Sequence, residues 1–545
     1  MARVDDEAVS QDGLRNSEVI VRDQFEKLTG FDKLSLSNGI RALYNETVDG
    51  FVQVATGCSG TDLVLAALDT LFELWNGVFG VDLAVDHLYS SESKPMKQRF
   101  LQENFSPPHI FPDIGLLKHK SAVDLDGRDV MIRTPLFWIC GVECDSISAL
   151  NSQRGENFDC VGQAKESRTG TTGRACMEYI AAHRPPIFLL ECVRNLQTVG
   201  KSGKSNLILL QELANAQGYL LLSKLMNCYD YGTPQQRDRS YLVGILIDSR
   251  PVNQTKKGWV APPWVEQFVN CLYGMKVAPL PLEKYLLDQD NPSVMLANAA
   301  TSKDKPAPKK KTTRKKTKPA ADGTDAKTDG GKNADTEDGN PLAYEVEHLS
   351  QYFAAQVTWP PQMDSDFLQR SEACTERQRQ VLWLLEQTQG RASSLKELLV
   401  RDLHMSSEWQ IERSGFTPCI VSSSALWVRG PCRGRSIGRF LGGAELLSLQ
   451  GLDFDRQSLE GFSHGNLVDL AGNAFCSSVI FPLVTALIAF GPVAAAIQLS
   501  KVEFMTDEVD EEDGEESEQA EEDQLVEPSD EEGGADFDID DMHVD

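Results

Sequence analysis

The 545-residue sequence lacks the features that mark a membrane or secreted protein. No apolar run approaches the roughly 20 residues that span a bilayer. The N-terminal sequence MARVDDEAVSQDGLRN has no cationic stretch followed by an apolar one, as a signal peptide would. The 12 cysteines are scattered without a C-x-x-C pair, which argues against a disulfide framework and a zinc site. We therefore expect a soluble, intracellular protein with no metal and no membrane partner.

Positive charge is absent from the end of the chain. Residues 503–545 contain 22 Asp and Glu but no Lys or Arg, and such a composition cannot bury enough apolar surface to fold. Without this tail, the formal net charge of −28 falls to about −6. Large apolar side chains are also nearly absent from residues 302–340, which include a basic block at 309–318. We predict that both segments are disordered, and that the block is a nuclear localisation signal, a phosphate-binding arm or a solvated linker.

Between Phe51 and about Leu246, short β-rich runs alternate with helix-length amphipathic segments, as in a mostly parallel α/β sheet. The candidate strands are 51–57, 81–90, 136–141, 187–193, 219–227 and 240–247. About a dozen residues separate the last two runs, too few for a crossover helix. These two strands should therefore form an antiparallel hairpin at the end of the sheet.

The first two candidate strands end in residues suited to a nucleoside. Gly57 closes the first strand within GCSGTDL, a Gly-rich turn that leads into a helix, where the backbone can approach a ligand. Glu92 follows the second strand, at a position where nucleoside-binding sheets commonly use an acid for the ribose hydroxyls. Further along, Asp113 and Ile114 supply a polar and an apolar group for an adenine edge and face. Each feature alone also fits a structural turn or a surface acid, but their order indicates a nucleoside cofactor site.

Cys144 follows the candidate strand 136–141 in the stretch WICGVECDSIS, and Glu191 lies at the carboxyl end of the strand 187–193. Because α/β sheets bind ligands beyond the carboxyl ends of their strands, Gly57, Glu92, Cys144 and Glu191 should converge on one rim. A thiol and a carboxylate on that rim are suited to act as nucleophile and acid. A lone Cys at a strand end is nevertheless more often a small buried hydrophobe.

A series of segments in a fixed order resembles the motifs of the DNA cytosine-5 methyltransferases, over residues of about 50–248 and 415–492. The segments are GCSGTD, ESKPMKQRF, PDI, GVECDSIS, ECV, LMNCYDYGTPQQRDR, FLGGAELLSLQGLDF and LAGNAFCSSV. The resemblance implies a Rossmann-like fold that depends on S-adenosylmethionine, with a mixed α/β sheet and a small target-recognition region. It also implies transfer of a methyl group to C5 of a cytosine that is flipped out of DNA.

The resemblance assigns roles to individual residues. Cys144 would add to C6 of the cytosine, Glu191 would hold or protonate the ring nitrogen, and Arg239 would bind the carbonyl oxygen of the base. Arg237 would support Glu191 or the loop, and Gln235 belongs to the same segment. The residues expected to bind S-adenosylmethionine are Gly57, Cys58, Ser59, Gly60, Glu92, Asp113, Ile114 and Asn473.

Two acids, Glu143 and Asp145, flank Cys144 where the family normally has Pro and Gln. A carboxylate near a thiol disfavours the thiolate unless Arg237, Arg239 or the substrate offsets it. The sequence therefore leaves open a catalytically degenerate chromatin protein that binds S-adenosylmethionine without turnover.

A second alternative is a tRNA cytosine-5 methyltransferase. Those enzymes carry Cys-Phe-Thr where this chain has Gly-Phe-Thr at 415–417, and the long insertion here also favours DNA. A zinc deaminase is disfavoured because its H-x-E and P-C-x-x-C signature is missing. A nicotinamide dehydrogenase would leave Cys144 and Glu191 unexplained.

The predicted organisation divides the chain into five parts. They are an N-terminal extension at 1–49, a catalytic core at 50–250, a target-recognition region at 251–435 that the linker 302–340 interrupts, a C-terminal part of the core at 436–498, and the acidic tail at 503–545. The expected partners are DNA and, through the tail, chromatin proteins. The expected location is the nucleus.

Overall fold

The computed structural model describes residues 15–58, 60–144, 147–148, 168–199, 203–247, 262–301, 361–405 and 413–501. The two segments predicted to be disordered, 302–340 and 503–545, lie outside the described residues, as do Ser59 and Asp145. The sheets and helices below belong to the unit Met1–Ser500, and the predicted domain boundaries within it remain predictions.

A seven-stranded sheet forms the centre of the fold. Its strands are β1 (Phe51–Gly57), β2 (Ala84–Ser91), β3 (Ile110–Phe111), β6 (Phe137–Gly141), β7 (Ile187–Val193), β8 (Tyr219–Asn227) and β9 (Asp238–Leu246), and a small hairpin contributes β4 (Ser121–Val123) and β5 (Asp129–Met131). The strand order is β3-β2-β1-β6-β7-β9-β8. Strands β3, β2, β1, β6 and β7 are parallel neighbours, whereas β9 is antiparallel to both β7 and β8. The predicted mixed α/β sheet with a terminal antiparallel hairpin is confirmed.

The central strands are apolar on both faces because helices cover both sides of the sheet. In β6 and β7 nearly every residue is buried. Gly244 of β9 lies opposite Phe188 of β7, and a Cβ at Gly244 would be only 2.1 Å from the Phe188 ring. A glycine is therefore needed here for the ring to pack across the strand.

The helices pack around this sheet and the adjoining second sheet. They include Asn16–Glu26, Gly30–Glu46, Leu63–Phe79, Pro95–Asn104, Arg168–His183, Asn206–Ala216, Pro263–Gly274, Pro292–Thr301, Ser365–Arg370, Glu376–Gln389, Gly443–Ser448, His464–Gly472 and Ser477–Phe490. The last of these is buried from Ser477 to Ile488 and packs against Gly30–Glu46, Leu63–Phe79 and Pro263–Gly274. This apolar helix thus lies in the core of the unit that contains the seven-stranded sheet.

The N-terminal helices are part of this core. A Cβ at Gly39 would be 1.8 Å from the Ile488 carbonyl oxygen, so the two helices cross at a point where only glycine fits. Gln24 is 1% exposed, and its amide donates to the carbonyl oxygens of Tyr231 and Ser478, each at 2.8 Å. The region predicted to be an N-terminal extension therefore contacts both the β8–β9 connection and the helix Ser477–Phe490.

A second sheet lies in the region predicted to recognise the target. It is formed by β10 (Leu399–Asp402), β11 (Arg413–Ser414), β12 (Leu426–Cys432) and β13 (Arg435–Phe440), in the order β11-β10-β12-β13. The helix Glu376–Gln389 shares a separate apolar cluster with this sheet, which includes Leu384 and Trp427.

Among the described residues, the stretch His464–Phe490 is long and apolar enough to cross a membrane by length and composition alone. The sequence-based expectation that no apolar stretch approaches the length of a membrane span is wrong for His464–Phe490, because two apolar helices follow each other closely there. The chain is not helical at residues 473–476 between them, and 83% of the apolar window is buried inside the protein. These are the properties of a core segment.

Candidate active site at the carboxyl edge of the sheet

The segment that carries Cys144 leaves the sheet beside Glu191. Gly141 ends β6 and pairs with Glu191 in the parallel neighbour β7. The next residue, Val142, donates its N–H to the Glu191 carbonyl oxygen at 3.0 Å. The structure thus brings the predicted nucleophile and the predicted acid to the same edge of two adjacent strands.

An ion pair joins Glu191 to Arg239 of β9, with 2.9 Å between Oε1 and Nε, and each side chain is 12% exposed. Burial by itself would lower the pKa of Arg239, but nearby Cys419, Glu191 and Cys144 raise it above its ordinary value. The guanidinium is therefore a permanent positive charge within the electrostatic reach of the Cys144 sulfur. Glu191 Oε1 is buried, so the Arg239 guanidinium is the charge that compensates it.

The half-buried Cys144 begins a turn. Its carbonyl oxygen accepts the N–H groups of Ile147 at 3.1 Å and Ser148 at 2.9 Å. The preceding acid, Glu143, accepts a hydrogen bond from the Thr172 hydroxyl at 3.4 Å. One of the two acids beside the thiol thus has a hydroxyl partner on the helix Arg168–His183, and the other, Asp145, lies outside the described residues.

Arg237 is buried at the junction of three segments. Its guanidinium donates to the carbonyl oxygens of Ile420 at 3.0 Å, Gly472 at 3.2 and 3.3 Å, and Ala474 at 2.8 Å. These contacts hold the last motif of the chain against the segment around Ile420. Its support of Glu191 is not among the hydrogen bonds of the described residues, and its part in catalysis remains a prediction.

Gln235 is completely buried. Its amide nitrogen donates to the Leu449 carbonyl oxygen at 3.1 Å, and its amide oxygen accepts from the Gln450 side chain at 3.1 Å. Its backbone forms a bridge with Thr417. These contacts tie the β8–β9 connection to residues far along the chain, and the predicted catalytic role of Gln235 remains a prediction.

The Gly-rich turn after β1 adopts left-handed backbone conformations at Cys58 (φ 50°) and Gly60 (φ 72°). The Cys58 N–H donates to the Ser91 carbonyl oxygen at 2.8 Å, which fixes the turn to the end of β2. A Cβ at Gly60 would lie 3.2 Å from Lys97 Nζ and 3.5 Å from Asn473 Cβ and O. The missing side chain therefore leaves a space bounded by the turn, Lys97 and Asn473 of the last motif.

The predicted adenine and ribose residues surround the same turn. A Cβ at Gly57 would be 3.1 Å from the Ile114 side chain, which is buried. The exposed Asp113 uses one carboxylate oxygen to accept the Gly115 N–H at 2.8 Å. Glu92 is 6% exposed, and burial raises its pKa while Lys97 opposes the shift. The structure thus places Ile114 and Gly57 together, with Asp113 adjacent to them in sequence and Glu92 at the end of β2.

The family of C-5 cytosine-specific DNA methylases matches residues 53–350, more than half of the chain. The chain belongs to this family.

Two fungal proteins and one bacterial protein are among its relatives. The chain is 26% identical over 456 residues to DNA (cytosine-5-)-methyltransferase DMT5 of Cryptococcus neoformans var. grubii, covering 79% of this chain and 16% of that protein. It is 22% identical to the protein of the same name from Verticillium dahliae, covering 83% of this chain and 19% of that protein. It is 27% identical to the type II methyltransferase M.NgoBI of Neisseria gonorrhoeae, covering 33% of this chain and 54% of that protein. The chain thus spans less than a fifth of the length of the two fungal relatives.

Asp62 is a residue of this DNA methylase family member that the sequence did not identify as part of the site. The Asp62 carboxylate is completely buried and accepts hydrogen bonds from Thr56 at 2.7 Å and Ser90 at 2.5 Å. It therefore fixes the Gly-rich turn to both β1 and β2. The available signal was its place at the end of GCSGTD, directly before the helix Leu63–Phe79.

Lys97 was also missed. Its side chain is only 5% exposed, and burial lowers its pKa while Glu92 and Asp469 oppose the shift. In the sequence it lies within ESKPMKQRF, three and four residues before Phe100 and Leu101. That spacing places it on the buried face of the helix Pro95–Asn104 and could have identified it.

Proposed function

We propose that this family member is a DNA (cytosine-5)-methyltransferase, which transfers a methyl group from S-adenosylmethionine to C5 of a flipped cytosine. The observation that carries the proposal is the proximity of Cys144, Glu191 and Arg239 at one edge of the sheet. The family match and the printed names of the relatives support DNA as the substrate.

In this proposal, the Cys144 thiolate adds to C6 of the cytosine. An S–C6 bond forms, and the electron pair of the C5–C6 double bond moves toward C5, which becomes nucleophilic. The nearby Arg239 cation favours the thiolate and offsets the acid at Glu143. Flipping is required because a stacked base hides both faces of its ring.

Glu191 holds a proton at N3 of the base, so that negative charge does not accumulate on the ring. Its Oε1 pairs with Arg239 Nε at 2.9 Å, and its other oxygen, Oε2, is the one proposed to contact the base. Arg239 fixes the carboxylate in place and binds the carbonyl oxygen of the cytosine. At the end of the reaction the C5 proton passes to solvent water, the electron pair of the broken C5–H bond restores the C5–C6 double bond, and the S–C6 bond breaks to release the Cys144 thiolate.

The residues around the Gly-rich turn fit S-adenosylmethionine. A side chain at Gly60 would fill the space beside Asn473, and the buried Glu92 is suited to the ribose hydroxyls. Ile114 and Gly57 provide an apolar surface for the adenine. When bound, S-adenosylmethionine supplies the methyl group as an electrophile.

The proposed location is the nucleus, as expected for a eukaryotic DNA methyltransferase of the kind named in the fungal relatives. The acidic tail at 503–545 is proposed to bind chromatin proteins or to compete with DNA for binding to the protein. If it competes, deletion of the tail should strengthen DNA binding in a titration at fixed salt. Unchanged affinity for DNA would show that the tail does not compete with DNA and is simply solvated.

Transfer of tritium from methyl-labelled S-adenosylmethionine tests the function directly. The intact chain should label DNA and leave tRNA unlabelled, and Cys144→Ser should abolish the labelling. Cys432→Ser, on β12 away from the catalytic edge, is the matched control and should retain it. Labelling of tRNA alone would show that tRNA, and not DNA, is the substrate. Cofactor binding without labelling of either nucleic acid would point to a catalytically inactive relative.

A further inference from the structure

Lys97 places a buried ammonium group at the edge of the Gly-rich turn. Its side chain is 5% exposed, on the buried face of the helix Pro95–Asn104 together with Gln98, Phe100 and Leu101. Lysine is rarely buried to this extent unless an anion pairs with it. The buried Lys97 ammonium group is therefore expected to have an anionic partner.

The protein itself supplies little negative charge at close range. In the described part of the chain, the carboxylate oxygen within ion-pair distance of Lys97 Nζ is Asp469 Oδ2, at 4.0 Å. The same oxygen lies 3.8 Å from Lys94 Nζ, and Asp469 Oδ1 accepts a hydrogen bond from Asn473 at 2.9 Å. One carboxylate at the limit of contact is thus shared between two lysines and an amide. Burial lowers the pKa of Lys97 despite the opposing effect of Glu92 and Asp469.

The ammonium lies between the two ends of the proposed cofactor site. On one side it faces Gly60, where a Cβ would be 3.2 Å from Nζ and 3.5 Å from Asn473. On the other side, its charge acts on the buried Glu92, the acid proposed for the ribose. An anionic group that continues from a ribose at Glu92 toward Gly60 would therefore meet Lys97.

We propose that Lys97 binds the carboxylate of the methionyl end of S-adenosylmethionine and thereby selects for a cofactor that carries this group. The inference rests on the proposed function, because it requires S-adenosylmethionine to be the ligand of this site. The nucleoside end has Glu92 and Ile114 as partners, whereas the methionyl carboxylate needs a cation. Lys97 is a buried cation whose nearest carboxylate among the described residues is 4.0 Å away, and a direct charge-assisted hydrogen bond would be shorter and stronger than that contact.

Calorimetric titration of the full chain with S-adenosylmethionine and with decarboxylated S-adenosylmethionine tests the proposal by binding alone. The wild-type chain should bind the carboxylated form about tenfold or more tightly, the difference that one charge-assisted hydrogen bond makes. In Lys97→Gln this preference should fall toward one, while affinity for the decarboxylated form changes little. Lys97→Arg should keep part of the preference.

Lys94→Gln is the matched control, because Lys94 pairs with the same Asp469 carboxylate but its side chain is 47% exposed. It should retain the wild-type preference. If Lys97→Gln does not fold, Lys97→Met removes the charge while filling the same apolar surroundings, and the wild-type titrations need no substitution. A wild-type chain without preference, or a Lys97 variant that keeps the full preference, would overturn the inference alone. A wild-type chain that binds neither compound would overturn the proposed function and this inference with it.

Discussion

The Arg239 guanidinium lies 2.9 Å from the Glu191 carboxylate (Nε to Oε1), across the antiparallel pair β7 and β9. Glu191 is in turn bonded through its carbonyl oxygen to Val142, two residues before Cys144. A single cation therefore acts on both the carboxylate that is proposed to hold the base and the thiol that is proposed to attack it. This arrangement gives a physical reason why an acid beside Cys144 is compatible with a thiolate.

Arg239→Ala should impair both stability and activity. It leaves the Glu191 carboxylate, 12% exposed, without its counter-charge, and breaking a buried ion pair costs about 3 kcal/mol of the free energy of unfolding. DNA methylation should fall by about a hundredfold or more, since charge on the base is no longer offset. Chemical denaturation and the tritium assay measure the two effects.

Arg194→Ala, which breaks an exposed 3.8 Å pair with Asp238, is the control and should change stability by less than about 1 kcal/mol. Methylation by Arg239→Ala within twofold of wild type would contradict the account.

Gly60→Ala should weaken cofactor binding. Its Cβ would enter the space beside Lys97 and Asn473, at a φ of 72°. Gly127→Ala is a matched control, because Gly127 has a φ of 77° but no atom within 4 Å of its added Cβ. Both changes should cost about 1 kcal/mol of stability from the left-handed backbone, whereas only Gly60→Ala should lower affinity for S-adenosylmethionine in a calorimetric titration. Equal affinities for S-adenosylmethionine in the two variants would show that Gly60 is not part of the cofactor site.

Gln24→Ala should lower the free energy of unfolding, because Gln24 connects an N-terminal helix to the core. It leaves the carbonyl oxygens of Tyr231 and Ser478 without their shared donor, and each unsatisfied buried group costs about 1–3 kcal/mol. Thermal and urea denaturation should show a clear loss of stability. The exposed Glu26→Ala on the same helix should show almost none. A wild-type midpoint for Gln24→Ala would mean that the N-terminal helices are dispensable for the core.

Asp453 should make stability depend on pH. Burial raises its pKa to about 6, above an ordinary value of 3.8, although hydrogen bonds from Ser17 oppose the shift. Because the folded state binds this proton more tightly than the unfolded state, the Asp453 contribution to stability rises as pH falls from about 6 to about 4 and is lost above pH 6. In Asp453→Asn this part of the profile should flatten, as urea denaturation across that range would show. Asp290→Asn is the control, because Asp290 is exposed and is not among the groups that act on Asp453; it should leave the slope unchanged. A wild-type slope in Asp453→Asn would refute the assignment.

Sequence patterns predicted the strands that are bounded by clear turn signals. The bounds of β1, β7 and β8 match the predicted runs 51–57, 187–193 and 219–227. The two-residue β3 was missed because so short a run has no periodicity to detect. Its consequence is local, since β3 positions the chain that leads to Asp113 and Ile114.

Side chains whose partners come from distant segments were harder to predict. Lys97 and Asp469 meet only because the last motif folds back onto the Gly-rich turn. The resemblance gives the support of Glu191 to Arg237, whereas Arg237 binds backbone carbonyls around Gly472 and Arg239 is the residue that pairs with Glu191. These differences depend on tertiary packing that no local pattern encodes.

The most direct test of the central claim is to locate the covalent bond between the protein and its substrate. In DNA with 5-fluorocytosine at the target position, fluorine replaces the proton that must leave C5, so the adduct should accumulate when S-adenosylmethionine is present. Mass spectrometry of the digested complex should find the modified base on Cys144, and Cys144→Ser should form no adduct. An adduct on another residue, or full methylation of ordinary DNA by Cys144→Ser, would contradict the assignment of Cys144 as the nucleophile.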